Sequence, residues 1–270
     1  MKNFLFILFA AALACTISAK EIKVALACSS ACEGYRDSYN DDSDPRRVWG
    51  WGEVLSGYFS PNVKILNFAK SGRSTVTFRS GGYWSKLIAS KPDYVIMALG
   101  ANDSKKGPKY SAPESTFKAN LRRFHQEAQA IGAKTIYVTL NQTMIRSKAD
   151  KPAFIDGKTV MRKDRIPYSQ AIREIAKEFN APCIDLFVEQ KKAMELIGEE
   201  ECAKFYCIQR KSDRYDPSHT NILGAHLLAN IIATELAKTD SPLAKEVNTK
   251  RLWPYKLEAK IQKTKLNTER

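Results

Sequence analysis

The chain has 270 residues, of which 44% are hydrophobic and 27% charged, and its formal net charge is +14. This length and composition fit one domain with a sizeable core and exclude a chain that is disordered throughout. A net charge this positive indicates either a merely soluble basic surface or attraction to a polyanion.

The first residues have the pattern of a targeting segment. Met1-Lys2-Asn3 gives a positive start, Phe4 to Cys15 is an apolar run of twelve residues, and Ile17-Ser18-Ala19 offers small residues for cleavage. Twelve apolar residues are too few to span a bilayer, and no later segment could span one either. We therefore predict a signal peptide over residues 1–19 and an exported chain, with a lipoprotein anchored through Cys15 as the alternative.

Export makes disulfides possible, although it does not reveal their pairing. The cysteines that remain after cleavage are Cys28, Cys32, Cys183, Cys202 and Cys207. They form no CxxC pair, and the three histidines do not stand near them at ligand spacing, so we expect no zinc site. No motif for nucleic acid is visible, and an exported basic chain favours an acidic polysaccharide or an anionic surface as its partner.

Short apolar runs rich in Val, Ile and Leu alternate with helical patterns. Continuous runs of this kind are typical of strands that are buried on both faces. The predicted strands are Ile22–Ala27, Val63–Ala69, Tyr94–Gly100, Thr135–Leu140 and Cys183–Phe187. The predicted helices are Val48–Tyr58, Tyr83–Ser90, Ser115–Ile131, Pro167–Phe179, Val188–Ile197 and Ile222–Ala237, and the predicted loops are Ser104–Pro113 and Thr143–Arg165. This alternation predicts a parallel sheet covered on both faces, in one domain over residues 20–240 with a basic tail over 241–270.

One short motif near the last helix suggests catalysis. Asp216-Pro217-Ser218-His219 places a carboxylate and an imidazole three residues apart, which fits a short loop that delivers a general base together with its orienting group. Such a pair needs a nucleophile to activate. Ser30, just past the end of the first predicted strand, is the candidate, and Ser29 is the alternative.

Two further strand ends supply groups that could stabilise an oxyanion. In a parallel sheet the carboxyl ends of the strands share one edge, where ligands bind. At that edge the backbone N–H of Gly72 could approach a developing oxyanion closely, and the side-chain amide of Asn102 is a second donor. The pattern predicts ester hydrolysis on an α/β scaffold.

These motifs resemble the conserved blocks of the SGNH (GDSL-like) hydrolases, over about Ile22 to Leu236. The resemblance makes Ser30 the nucleophile, Asp216 and His219 the rest of the triad, and Ser30, Gly72 and Asn102 the oxyanion hole. Further likeness to the rhamnogalacturonan acetylesterase branch lies in Trp49-Gly50-Trp51-Gly52, Gly72-Arg73-Ser74, His219-Thr220-Asn221 and Gly224-Ala225.

The resemblance implies a flavodoxin-like, three-layer α/β/α fold with five parallel strands. It also implies an exported serine esterase that removes acetyl groups from a polysaccharide without a metal or organic cofactor. The polysaccharide expected is pectin-like and acidic. The alternatives are a lipase or thioesterase of the same superfamily and a weakly active or non-catalytic carbohydrate-binding relative.

Other residues have competing interpretations. Arg73 could contact substrate or pair with Asp103, and Trp51 could contact a sugar or, like Trp84, belong to the core. His125 is expected on the surface of its helix, and His226 in the packing of the last helix. The chain also departs from the family pattern, since Cys28-Ser29 stands where Gly-Asp is expected.

Overall fold

The computed structural model describes residues 20–34, 47–105, 107–158, 160–208 and 214–253. The predicted signal peptide and residues 254–270 of the predicted tail lie outside the described residues. The strands are β1 (Ile22–Cys28), β2 (Val63–Asn67), β3 (Tyr94–Ala98), β4 (Lys134–Val138), β5 (Ile145–Arg146), β6 (Pro152–Ala153), β7 (Cys183–Ile184), β8 (Tyr206–Ile208) and β9 (Tyr215–Thr220).

The central sheet has five parallel strands in the order β2-β1-β3-β4-β7, which confirms the predicted fold class and all five predicted strands. From β1 the chain adds β2 on one side of the sheet, and from β3 it adds β4 and β7 on the other side. The direction of strand addition therefore reverses between β1 and β3. In open α/β sheets the crevice for ligands lies at this point, outside the carboxyl ends of the strands.

Eight α-helices are present in the described residues. They are α1 (Trp51–Val54), α2 (Thr75–Ser80), α3 (Tyr83–Ala89), α4 (Lys118–Ala130), α5 (Ile166–Glu178), α6 (Leu186–Ile197), α7 (Glu199–Ala203) and α8 (Ile222–Leu236). The helix predicted over Val48–Tyr58 begins only at Trp51 and continues as a 3₁₀ turn, and the short helices α2 and α7 were not predicted. The predicted ends are confirmed at Pro167, in the first turn of α5, and at Gly132, which has a φ of 81° just after α4.

The sheet separates two hydrophobic cores, and β1 contributes to both. Val24 and Leu26 pack with α1, α6 and α8, whereas Ala25 and Ala27 pack with helices α2 to α5. Successive residues of a strand point to opposite faces, so this alternation shows a strand covered on both sides. Helix α8 is buried over most of its circumference, as expected for a helix that is apolar all round. The result is the predicted three-layer α/β/α arrangement.

Two small antiparallel sheets lie outside the central one. The segment Thr143–Arg165, predicted to be a loop, contains the hairpin of β5 and β6 and a 3₁₀ turn over Lys163–Arg165. The second small sheet joins β8 and β9. Strands β5, β6 and β8 have two or three residues and are too short to show a periodic pattern, and the six residues of β9 contain Pro217 and no apolar run, which is why the sequence did not reveal them.

Residues 241–253, the first part of the predicted basic tail, pack on the domain. Leu243 is fully buried. The side chain of Asn230, also fully buried, binds both backbone polar groups of Trp253, with distances of 2.9 and 3.0 Å. The cysteines in the described residues are all free thiols, and no helix among these residues is long and apolar enough to cross a membrane.

A buried carboxylate anchors the start of α2. Asp103 is fully buried, and its carboxylate accepts hydrogen bonds from the Thr75 N–H at 3.0 Å and from the Thr75 hydroxyl at 2.6 Å. Thr75 is the first residue of α2, so the negative charge lies at the positive end of the helix. Burial raises the pKa of Asp103 to about 6, against the opposing effect of the hydrogen bonds from Thr75.

Replacing Asp103 should remove one pH dependence of stability. The folded chain binds this proton more tightly than the unfolded chain, in which the carboxyl has its ordinary pKa of 3.8. The wild type should therefore lose stability relative to Asp103→Asn as the pH rises from about 4 to about 6. A separation of roughly two pKa units corresponds to about 3 kcal/mol. Urea unfolding of both proteins between about pH 4 and pH 7 measures this difference, and a difference that does not change with pH would contradict it.

Candidate active site

The order of the sheet brings three loops together at one edge. Strand β1 lies between β2 and β3, so the loop after β1 has the other two loops on either side. Cys28, the last residue of β1, is in register with Ala98 of β3, and its carbonyl accepts the N–H of Lys70 from the loop after β2. The predicted nucleophile, oxyanion glycine and oxyanion asparagine therefore come from neighbouring loops, as the sequence led us to expect.

Ser30 lies in a tight turn at the end of β1. The carbonyl of Ser29 accepts the N–H groups of Cys32 and Glu33, both at 3.2 Å, which closes the turn around Ser30. Ser29 is 1% exposed, whereas Ser30 is partly exposed. A nucleophile must be reached by its substrate, so accessibility favours Ser30 over Ser29.

The departure from the family pattern is accommodated by the strand. Cys28 is a residue of β1, so its backbone is extended and a side chain fits there without strain. Its thiol is buried and lies 3.4 Å from the carbonyl oxygen of Ala98. The cysteine therefore fills a space beside β3 without altering the central ladder.

The predicted Asp–His pair lies in strand β9, so the expectation of a loop is corrected. In the pairing with β8, Cys207 is opposite Asp216 and Tyr206 is opposite Thr220. One step along β8 thus corresponds to four along β9, and residues 217–219 bulge out of the ladder. Such bulges redirect side chains and occur often beside active sites.

The bulge brings the carboxylate to the imidazole. In a regular strand, residues three apart point to opposite faces and cannot touch. Here the Nδ1 of His219 lies 2.7 Å from Oδ2 of Asp216, and the N–H of Ser218 donates to Oδ1 of Asp216 at 2.9 Å. The side chain of Asp216 is 9% exposed and that of His219 is 24% exposed. A shielded carboxylate on Nδ1 orients the ring and leaves Nε2 to exchange a proton.

A short segment, Trp49–Trp51, bridges the two halves of the site. Trp49 donates its N–H to the carbonyl of Thr220 at 2.8 Å, and the carbonyl of Trp49 accepts the Thr220 hydroxyl at 2.8 Å. Trp51 donates its N–H to the carbonyl of Ala31 at 3.1 Å. Thr220 directly follows the candidate base and Ala31 directly follows the candidate nucleophile, so three residues of backbone hold both groups at one place.

Of the two interpretations of Trp51, the structure supports burial in the core over a sugar contact by its side chain, which is only 1% exposed. It belongs to the core that contains α1 and α8, and Trp84 is likewise buried in the opposite core. Trp51 contributes to the site through its backbone, which the resemblance of the Trp-Gly-Trp-Gly motif did not reveal.

Two of the three predicted oxyanion donors, Gly72 and Asn102, come from loops that contact each other. The N–H of Arg73 bonds to the carbonyl of Lys70 at 3.3 Å and closes a β-turn whose third residue, Gly72, has a φ of 76°. The space beside Gly72 is open, so the positive φ, not crowding, requires glycine. The side-chain amide of Asn102 donates one N–H to the carbonyl of Arg73 at 3.1 Å. An amide nitrogen carries two hydrogens, so the second can serve an oxyanion.

The guanidinium of Arg73 lies 5.4 Å from the ring centroid of Tyr83. The carboxylate of Asp103 binds Thr75, so the ion pair, one of the two interpretations of Arg73, does not form among the described residues, and substrate contact stays a prediction.

The remaining histidines stay apart from this edge. His125, expected on the surface, is 8% exposed, and its ring bonds to the hydroxyl of Thr135 at 2.7 Å and stacks on Phe179 at 3.8 Å. Burial lowers its pKa. A buried imidazole stacked on an aromatic ring is a structural residue, and His125 lies one helical turn after Leu121 on the buried face of α4. His226 bonds to the hydroxyl of Tyr58 at 3.1 Å, in keeping with the expected packing role.

Sequence reasoning missed three features that organise the site. These are the bridging segment, the carboxylate of Asp103 on α2, and a nearly buried carboxylate, Glu33, that contacts the loop after β2. In each case the partners are distant in the chain, so no local spacing reveals the contact.

Known proteins of similar sequence have names that fit this geometry. The chain is 29% identical over 77% of its length to the rhamnogalacturonan acetylesterase RhgT of Bacillus subtilis, of which it covers 89%. It is 25% identical over 84% of its length to the probable rhamnogalacturonan acetylesterase YesY of the same organism, of which it covers 97%.

Solved structures share the fold. The YxiM protein of Bacillus subtilis aligns with a TM-score of 0.60 and 24% identity over 81% of this chain and 56% of that chain. An acetylxylan esterase of Geobacillus stearothermophilus aligns with a TM-score of 0.56 and 17% identity over 80% of this chain and 94% of its own length.

The family model of the GDSL-like lipases and acylhydrolases matches residues 29–203, which cover most of the described domain. The chain therefore belongs to the GDSL-like lipase/acylhydrolase family and is a carboxylic ester hydrolase.

Proposed function

We propose that the chain is an exported serine esterase that removes acetyl groups from a pectin-like polysaccharide. The observation that carries the proposal is the contact of 2.7 Å between Asp216 and His219 at the sheet edge that also holds Ser30. The names of the curated relatives, rhamnogalacturonan acetylesterases, support the choice of acetyl group and polymer. Cleavage of the predicted signal peptide after Ala19 would make Lys20 the first residue of the exported chain.

The proposed reaction is a two-step acyl transfer. The hydroxyl oxygen of Ser30 attacks the ester carbonyl carbon while Nε2 of His219 takes the hydroxyl proton, and Asp216 stabilises the imidazolium that forms. The tetrahedral intermediate then expels the sugar oxygen, which receives the proton from His219. Water then attacks the acyl-enzyme while Nε2 of His219 takes a proton from it. The second tetrahedral intermediate releases the acetyl group as acetic acid, and the Ser30 oxygen receives the proton from His219.

The contact between nucleophile and base must tighten during this reaction. Within the described residues, the Ser30 hydroxyl makes no hydrogen bond to the His219 ring. Catalytic hydrogen bonds are often long without substrate and shorten in the Michaelis complex. The bridging segment limits how far the two groups can separate, since it anchors the residue after each of them.

The oxyanion would be stabilised by three donors that come from neighbouring loops. These are the N–H groups of Ser30 and Gly72 and the second amide hydrogen of Asn102. Donors held in place before the reaction need no reorganisation when charge develops, which makes them efficient. The hydrogen bond from Asn102 to the carbonyl of Arg73 provides this preorganisation.

An acidic polymer is favoured by charge. The sequence has 43 Lys and Arg against 29 Asp and Glu. Arg73, next to the oxyanion glycine and held against Tyr83, is a candidate contact for a substrate carboxylate. Such a substrate is drawn from solution by the field of the whole protein.

Removal of the nucleophile tests the mechanism. Ser30→Ala should abolish hydrolysis of nitrophenyl acetate, and His219→Ala should lower kcat by about a thousandfold or more, because members of a triad act as a unit. Ser29→Ala is the matched control and should retain activity. Circular dichroism and thermal melting establish that each variant is folded. A fluorophosphonate probe should label Ser30, as mapped by mass spectrometry, and labelling of Ser29 instead would contradict the assignment.

Substrate class is tested by acetate release from acetylated rhamnogalacturonan, acetylated homogalacturonan and acetylxylan. We expect the pectic polymers to be the better substrates. Faster release from acetylxylan, a polymer named for another relative of the chain, would replace the pectin proposal while leaving the esterase intact.

Salt should affect the acidic polymer alone. The Debye length falls from about 30 Å at 0.01 M salt to about 8 Å at 0.15 M, so kcat/KM on the acidic polysaccharide should fall as salt rises. Nitrophenyl acetate has no charge and should show little change. Removal of residues 254–270, which hold five basic and two acidic residues, should weaken the salt effect. This truncation leaves the packed residues 241–253 in place. Equal salt dependence for both substrates would exclude steering of the polyanion.

A further inference from the structure

We infer that Glu33 is a positioning residue. It fixes the loop after β2, which carries Gly72, against the turn that contains Ser30. The inference rests on the proposed function of Ser30 and Gly72. It concerns a side chain that no sequence motif singles out, and it begins with where this carboxylate lies.

Glu33 is the last residue of the turn that contains Ser30. Its N–H closes that turn on the carbonyl of Ser29, so the position of Glu33 is tied to that of the nucleophile. The residue is 8% exposed. A carboxylate so well shielded from water requires hydrogen-bond donors, and its two oxygens find them in a different loop.

Both donors belong to the loop after β2. Oε2 of Glu33 accepts the backbone N–H of Ser71 at 2.5 Å, and Oε1 accepts the side-chain ammonium of Lys70 at 2.9 Å. The Ser71 amide directly precedes the peptide that carries the Gly72 N–H. A charge-assisted bond to one peptide therefore restricts rotation of the next, which holds the proposed oxyanion donor.

Other hydrogen bonds among the described residues also hold this loop. The Lys70 N–H bonds to the carbonyl of Cys28 at 3.1 Å, and the Arg73 N–H closes the β-turn on the carbonyl of Lys70. Gly72 is exposed, has a positive φ and has open space where a side chain would stand, so no side-chain packing of its own restrains it. Glu33 supplies the contact that links this turn directly to the turn of the nucleophile.

The contact made by Glu33 is related to the departure of this chain from the family pattern at Ser29. The family pattern places a carboxylate directly before the nucleophile, and this chain has Ser29 at that position. Ser29 is buried and uncharged, whereas Glu33 returns a carboxylate to the same turn from three residues after Ser30. The turn of Ser30 thus carries a negative group after the nucleophile in place of one directly before it, and this group contacts the loop after β2.

Kinetics of Glu33→Ala on nitrophenyl acetate test the inference. Loss of one oxyanion donor typically costs a hundredfold or more in kcat, and misplacement of such a donor should cost about 10- to 100-fold. We expect kcat to fall by this factor with KM changed less than about threefold. The rate of labelling by a fluorophosphonate should fall in parallel, because its oxygen occupies the same hole. Glu33→Gln, which keeps an acceptor for the Ser71 N–H, should lie between the wild type and Glu33→Ala.

Two control variants separate positioning from stability and from simple charge. Asp93→Asn alters a carboxylate that accepts the N–H of Lys23 at 2.8 Å, at the opposite end of the same strands, and should lower the melting temperature without lowering kcat. Lys70→Ala removes the ion pair, whose lysine is 45% exposed, but keeps the Ser71 N–H on Glu33, so it should lower kcat less than Glu33→Ala does.

The outcomes are distinguishable. If Ser30→Ala is inactive while a folded Glu33→Gln and Glu33→Ala both stay within twofold of the wild-type kcat, the positioning role is overturned and the proposed mechanism stands. A kcat loss in Lys70→Ala as large as that in Glu33→Ala would also overturn it, because the ion pair would then act in place of the backbone contact. Activity that survives Ser30→Ala would overturn both proposals.

Discussion

The register of three parallel strands is the constraint on which the site depends. Strand β1 lies between β2 and β3, and all three end at the same edge, so their loops must share one small region. Hydrogen bonds along the strands extend this register into the loops, as when the carbonyl of Cys28 accepts the Lys70 N–H. Strand register alone therefore brings groups more than 70 residues apart, such as Ser30 and Asn102, to the same edge of the sheet.

The second half of the site reaches this edge by another device. The last element before α8 is a strand outside the central sheet, and its bulge turns His219 towards Asp216. The bridging segment Trp49–Trp51 then ties this strand to the turn of Ser30 through backbone hydrogen bonds. Because backbone contacts hold it, the arrangement depends on the path of the chain more than on the identity of the side chains.

Buried carboxylates organise the loops of the site. Asp103 binds the start of α2, Glu33 binds the loop that carries Gly72, and Asp216 binds both its own bulge and the imidazole. Each is shielded from water and each receives backbone N–H groups, which is the condition under which a buried charge is tolerated. In the proposed mechanism, a loop held in this way keeps its donors aimed before substrate arrives, which is what stabilisation of an oxyanion requires.

The sequence by itself determined the five strands, the larger helices and the placement of Ser30, Gly72 and Asn102 at strand ends. These follow from local patterns, since apolar runs, glycine and proline act on the backbone where they stand. Only the tertiary structure decided that Trp51 is core, that His125 is buried, that Asp216 and His219 lie on a bulged strand, and that Glu33 reaches the loop after β2. Each of these depends on contacts between segments far apart in the chain. Burial and long-range hydrogen bonds depend on which distant segments pack together, and the residues around a position in the sequence do not determine that packing.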